Sequence, residues 1–88
     1  MASAPNILLV DDDERLRTAA GKVLASEGFR VAAVESGRQA LERLKQASFA
    51  VVVCDLRLPD VDGIALLQEM RTLRPDLEVV MLTGHGSV

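Results

Sequence analysis

The sequence contains no tryptophan and no tyrosine, and only two phenylalanines and one cysteine in 88 residues. With only two aromatic side chains, a platform on which single-stranded nucleic acid could stack is essentially absent. Lysine and arginine number ten against thirteen aspartates and glutamates, a net charge of −3. That balance excludes the basic footprint of direct nucleic-acid binding by this segment. A single cysteine excludes an internal disulfide framework and suits a reducing compartment. No apolar run approaches the ~18 residues of a membrane span, and no charged-then-apolar leader opens the chain. The expected location is therefore the cytoplasm. There is no low-complexity stretch, basic tail or Pro/Ser-rich linker, so residues 1–88 read as one domain.

What is present is an alternation. Asn6–Val10 (NILLV) is a short continuous apolar run, the pattern of a buried parallel strand. Arg30–Val34, extended to include Phe29, is a weaker second run, Ala50–Cys54 a third and Glu78–Leu82 a fourth. Three helical patterns lie between them. Leu16, Ala19, Ala20, Val23 and Leu24 fall on one helical stripe, with Asp13 as N-cap and Gly28 at the C-terminal turn. Ser36 and Gln39 have capping-box spacing ahead of Ala40, Leu41, Leu44 and Ala47. Asp62 caps a third helix whose buried side is read as Ile64, Leu67 and Met70, widened by Leu66 and Leu73, and which Pro75 stops at or before Arg74. The order β-α-β-α-β-α-β predicts an α/β fold, a parallel sheet with helices on its faces.

Two of these strands run into carboxylates. The first is followed by Asp11-Asp12-Asp13 and the third by Asp55. Ligands of open parallel sheets bind beyond the carboxyl ends of the strands, where the strand order reverses. Neighbouring first and third strands bring Asp11, Asp12 and Asp55 together, and like charges at that distance repel. A hard cation such as Mg²⁺, which takes oxygen ligands from carboxylates, water and phosphates, relieves the repulsion. The pattern therefore points to a Mg²⁺ site handling a phosphoryl group. A solvated turn is the competing reading, and for Asp13 the helix cap is preferred. Thr83, at the tip of the fourth strand, could bond a phosphoryl oxygen or be a β-branched strand residue. Cys54 reads as a buried strand residue and His85 as a loop residue.

Taken together, these residues resemble the receiver domain of bacterial two-component response regulators. The resemblance runs from Asn6 to the last residue. It rests on the apolar strand with Asp11-Asp12, on VVVCD ending in Asp55, on Leu58-Pro59…Asp62-Gly63 and on VVMLTG carrying Thr83. It implies a flavodoxin-like, doubly wound parallel sheet with strands in the order 2-1-3-4. It implies Asp55 as phospho-acceptor, served by a sensor histidine kinase. Mg²⁺ would be held by Asp12, with Asp11 assisting, by Asp55 and by the main-chain carbonyl of Arg57. Thr83 would sense the phosphoryl group, and the output would be transcriptional. The module is then no enzyme beyond self-catalysed phosphoryl transfer and dephosphorylation.

Against the family's pattern, the sequence ends at Val88 before a fifth strand, its phosphoryl-contacting lysine and a final helix. Lys22 and Lys45 fall on helices, so neither takes that role. Two expectations follow. Strand four (Val79, Val80, Met81, Leu82) or the uncovered sheet face should support self-association, and a non-phosphorylated interaction or dimerisation module is the alternative function. A third option is hydrolysis. The Asp11-x-Asp13 pattern is similar to the nucleophile motif of haloacid-dehalogenase-type phosphatases, but Glu14-Arg15 follows it and no later lysine or acidic pair completes that site.

Overall fold

Four runs of β-branched and aliphatic residues pair in parallel because each connection is a helix long enough to return the chain to the same end of the sheet. The computed structural model describes residues 6–55 and 57–82. The elements are β1 (Asn6–Val10), α1 (Glu14–Ser26), β2 (Arg30–Val34), α2 (Gly37–Gln46), β3 (Val51–Asp55), α3 (Gly63–Leu73) and β4 (Glu78–Leu82). The strand order is β2-β1-β3-β4, as the resemblance to receiver domains implies. Ile7 lies opposite both Val31 and Val51, Val10 opposite both Val34 and Cys54, and Asp55 opposite Leu82.

Two boundaries differ from the sequence reading. β3 begins at Val51, which pairs with Ile7, and includes Asp55, which pairs with Leu82; the Ala50 N–H bonds the Asn6 carbonyl at 2.8 Å just ahead of the ladder. Phe29 does not extend β2. Its N–H bonds the Leu24 carbonyl and so closes the end of α1, where Gly28 supplies the expected left-handed turn with φ of 96°.

The caps form as their residue types demand. Asp13 accepts from the N–H groups of Arg15 and Leu16, Ser36 from Gln39 and Asp62 from Ala65. The Gln39 side chain reaches back to the Glu35 N–H at 2.9 Å, one residue beyond the usual capping-box partner. At the other end of α2, the Arg74 guanidinium donates twice to the Leu44 carbonyl.

Alternation along the strands divides the core. Leu8, Val10, Val52 and Cys54 face α2 and α3 and are fully buried with Ala40, Leu44, Leu66 and Met70. Leu9 and Val53 face α1, beside Leu16, Ala20, Val23, Leu24 and Leu82. α1 contains no buried residue: Ala20 and Leu24 are half-covered, whereas Leu16, Ala19 and Val23 are exposed. The predicted stripe thus exists but is only partly sealed. In α3 the buried line is Gly63, Leu66 and Met70, and Ile64 is 54% exposed. Apolar residues surround most of this helix, so its periodicity leaves the inward side open until the sheet selects it. Ala47 is the exposed C-cap of α2 and not part of its apolar face. No helix among the described residues is long and apolar enough to cross a membrane.

Candidate functional site

The site is built where β1 and β3, the two central strands, end side by side. β1 hands over to Asp11, whose N–H continues the ladder by bonding the Val34 carbonyl at 3.1 Å. β3 ends on Asp55 itself. Parallel pairing with Val10 opposite Cys54 leaves both carboxylates at the same edge of the sheet. Asp11 and Asp55 are each only 7% exposed, while Asp12 lies in solvent. One carboxylate oxygen from each of the three lies within 4.8 Å of the others.

Each buried carboxylate is oriented by the chain that follows it. Asp11 Oδ1 accepts from the Asp13 N–H at 2.9 Å, and Asp55 Oδ1 accepts from the Arg57 N–H at 2.9 Å. Burial raises the Asp11 carboxyl above its ordinary value. The Asp13 N–H opposes that rise, and the neighbouring charges of Asp55, Asp12 and Asp13 add to it. The pair of buried acids also acts on Cys54. Its thiol is pushed up to about 12, first by burial and then by Asp55 and Asp11, so it is inert as a nucleophile.

The donor set suits a hard divalent cation. The oxygens of an octahedral Mg²⁺ shell, at ~2.1 Å from the ion, stand about 3–4 Å apart, and one oxygen from each of these three carboxylates lies within 4.8 Å of the others. Asp11, Asp12 and Asp55 are the residues to hold such an ion, and it would neutralise charges that now raise the Asp11 carboxyl. The structure therefore brings together three of the residues the sequence singled out. Arg57 is held next to them by its bond to Asp55 and by an isolated bridge to Asp62. Thr83 lies outside the described residues. Asp13 takes the helix cap and not a ligand position.

Two residues of this region escape the sequence reading. The Arg17 guanidinium donates to the Asp11 carbonyl at 2.9 Å, fixing the start of the acidic run from one turn into α1. Asp60, in the loop after Asp55, bonds α2 across 22 and 23 residues of sequence. Arg17 carries a faint signal in its spacing from Asp11, and Asp60 carries none, because its partners are distant main-chain groups.

Comparison with known proteins agrees with this geometry. Residues 7–88 match the family model described as response regulator receiver domain. The C4-dicarboxylate transport transcriptional regulatory protein DctD of Rhizobium meliloti is 39% identical over 88 residues, all of this chain and 19% of that protein. The chain thus spans about a fifth of this curated relative. A CheY-like receiver domain protein from Methanospirillum hungatei superposes with a TM-score of 0.91 at 31% identity, covering 98% of this chain and 69% of that one. TrrA of Thermotoga maritima, solved in complex with Mg²⁺-BeF, gives 0.87 at 27% identity over 93% of this chain and 71% of its own. TrrA has also been solved in complex with the histidine kinase ThkA, where the TM-score is 0.85 at 27% identity over 96% and 74%. With its four-strand order, its acidic cluster and its match to the family model from residue 7 to residue 88, the chain belongs to the response regulator receiver domains of two-component systems.

Proposed function

We propose that the chain accepts a phosphoryl group on Asp55 from a phosphohistidine of a sensor histidine kinase and controls a transcriptional output. The observation that carries this reading is the convergence of Asp11, Asp12 and Asp55 within 4.8 Å at the ends of adjacent strands. The Asp55 carboxylate attacks phosphorus, the new O–P bond forms as the N–P bond breaks, and the leaving imidazole nitrogen keeps the electron pair. Asp11, Asp12, Asp55 and the main-chain carbonyl of Arg57 are the candidate ligands of Mg²⁺, which when bound neutralises charge and positions the in-line transfer. The Arg57 N–H fixes one oxygen of Asp55 at 2.9 Å, and the other is assigned the attack on phosphorus. Thr83 is assigned the sensing of the phosphoryl oxygen. The Mg²⁺-BeF complex of TrrA supports the metal, its ThkA complex supports the kinase, and the name of DctD supports the output. The chain acts as an acceptor and not as a turnover enzyme.

Incubation with acetyl phosphate or phosphoramidate and Mg²⁺ should add one phosphoryl group, detected by intact mass. Asp55→Asn should abolish it. A labelled Asp55→Asn protein overturns Asp55 as the acceptor.

Self-association belongs to the same reading, with a second copy as the occupant. β4 is the edge of the sheet among the described residues. Val79 and Met81 turn into the closed core, but Val80 and Leu82 are each 44% exposed beside it. An edge with unpaired main-chain groups and apolar neighbours can add the same strand from another molecule. Sedimentation at micromolar concentration should show a dimer, and a monomer throughout that range ends the idea.

A further inference from the structure

The loop after Asp55 is fastened at its far end to α2. Asp60 Oδ1 accepts from the Gly37 N–H at 3.0 Å, and Asp60 Oδ2 accepts from the Arg38 N–H at 3.1 Å. A carboxylate at the positive end of a helix, meeting two of its free N–H groups, is a favourable arrangement. Yet α2 already carries a local cap, since Ser36 Oγ accepts from the Gln39 N–H at 3.1 Å. What Asp60 adds is a tie between elements that are far apart in sequence. A second observation marks the same junction. A Cβ at Gly37 would lie 2.5 Å from Val61 Cγ2 and 3.2 Å from Leu66 Cδ2, so the first turn of α2 rests on the loop where a larger residue forces a shift. At its near end the loop is closed by the Arg57–Asp62 bridge, and the Arg57 N–H holds Asp55 Oδ1 at 2.9 Å. The connection from the α2 N-terminus to the acceptor carboxylate is thus continuous.

We infer that Asp60 and Gly37 are positioning residues for the acceptor site. By setting where the loop sits, they set the aim of the Asp55 carboxylate and hence the affinity of the acidic cluster for a divalent cation. The inference rests on the phospho-acceptor reading and extends it to residues that touch neither the ion nor the phosphoryl group.

The test is Mg²⁺ titration by calorimetry on the intact chain, with thermal unfolding by circular dichroism alongside. Groups that orient metal ligands typically change affinity by about tenfold or more when removed. Asp60→Ala is expected to weaken Mg²⁺ about tenfold and Asp60→Asn less. Ser36→Ala, which removes a cap of the same helix without touching the loop, should lower the melting temperature and leave Mg²⁺ affinity within about twofold, because capping alone acts on the helix. Gly37→Ala should behave like Asp60→Ala. In the unmutated protein, Mg²⁺ should shift the Gly37 and Arg38 amide resonances, which needs no variant to fold. If Asp60→Ala and Ser36→Ala leave Mg²⁺ affinity equally unchanged, or the two amides do not respond, the inference is overturned and the phospho-acceptor reading stands. If the unmutated chain binds no Mg²⁺, that reading fails and the inference falls with it.

Discussion

The two faces of the sheet are built from the same kinds of residue and end in different states. On the α2–α3 side, Leu8, Val10, Val52 and Cys54 meet Ala40, Leu44, Leu66 and Met70, and all are sealed from water. On the α1 side, Leu9 is buried, but Val23 is 62% exposed, Leu16 is half-exposed and Val80 and Leu82 stand open. Hydropathy is not the difference, since both sides are aliphatic. Among the described residues, two helices lying against one another close the first face, and one helix covers only part of the second. Apolar character decides which residues can be core. The number of covering elements decides which become core.

The largest expected effect tests that contrast directly. Leu44→Ala should cost about 2–5 kcal/mol, the range for a buried leucine that leaves a cavity. Val23→Ala should cost under about 0.5 kcal/mol, as at an exposed site. Urea unfolding followed by far-ultraviolet circular dichroism measures both, and equal losses would mean that the α1 face is as closed as its opposite. Next in size, Leu82→Lys should reduce the sedimentation coefficient of a dimer to that of a monomer without loss of helix signal. The same change on a face already sealed by its own chain would do nothing to assembly. A smaller effect separates the helices. Asp13→Ala and Asp62→Ala each remove one cap worth about 1 kcal/mol. Hydrogen exchange should rise more in α1 than in α3, because α1 has no buried side chain to hold it once its first turn frays.

The smallest effect depends on pH and belongs to the closed side. The Gly37 N–H, first, holds the Asp60 carboxyl below its ordinary 3.8; burial opposes this, and the Arg38 N–H assists. A folded-state value below the unfolded one contributes stability above about pH 3.8 and loses it as pH falls through the folded value. Asp60→Ala should therefore be less stable than the unmutated chain at pH 7, with the gap closing below pH 3.8. Because Asp60 is exposed, solvent screens the difference and keeps it small.

Much of the fold and of the site is legible in the amino-acid sequence. The runs at 6–10 and 78–82, the caps Asp13, Ser36 and Asp62, and the turn at Gly28 are local patterns, and local patterns survive in sequence. Asp11, Asp12 and Asp55 can be placed together because parallel topology makes strand ends neighbours. The inward side of α3 cannot be read in the same way. Ile64, Leu66, Leu67, Met70 and Leu73 surround the helix, and the choice of Leu66 and Met70 belongs to its crossing over the sheet. β3 starts one residue after the apolar run does, because its register is set by pairing with β1 from Ile7 opposite Val51 and not by hydropathy. Asp60 is invisible for a related reason: its partners are main-chain groups more than twenty residues away, and no spacing rule marks them.

Cys54 has a further use that follows from its seat beside Asp55. It is fully buried, adjacent in sequence to Asp55 and the sole thiol in a chain without tryptophan or tyrosine. An alkylating reagent reaches it only when β3 parts from its neighbours, so its labelling rate is a clock for opening at that point of the sheet. Cys54 is thus a silent reporter one residue from the carboxylate proposed as acceptor. Any ligand that tightens the strand ends should slow it, with no dye or added probe required.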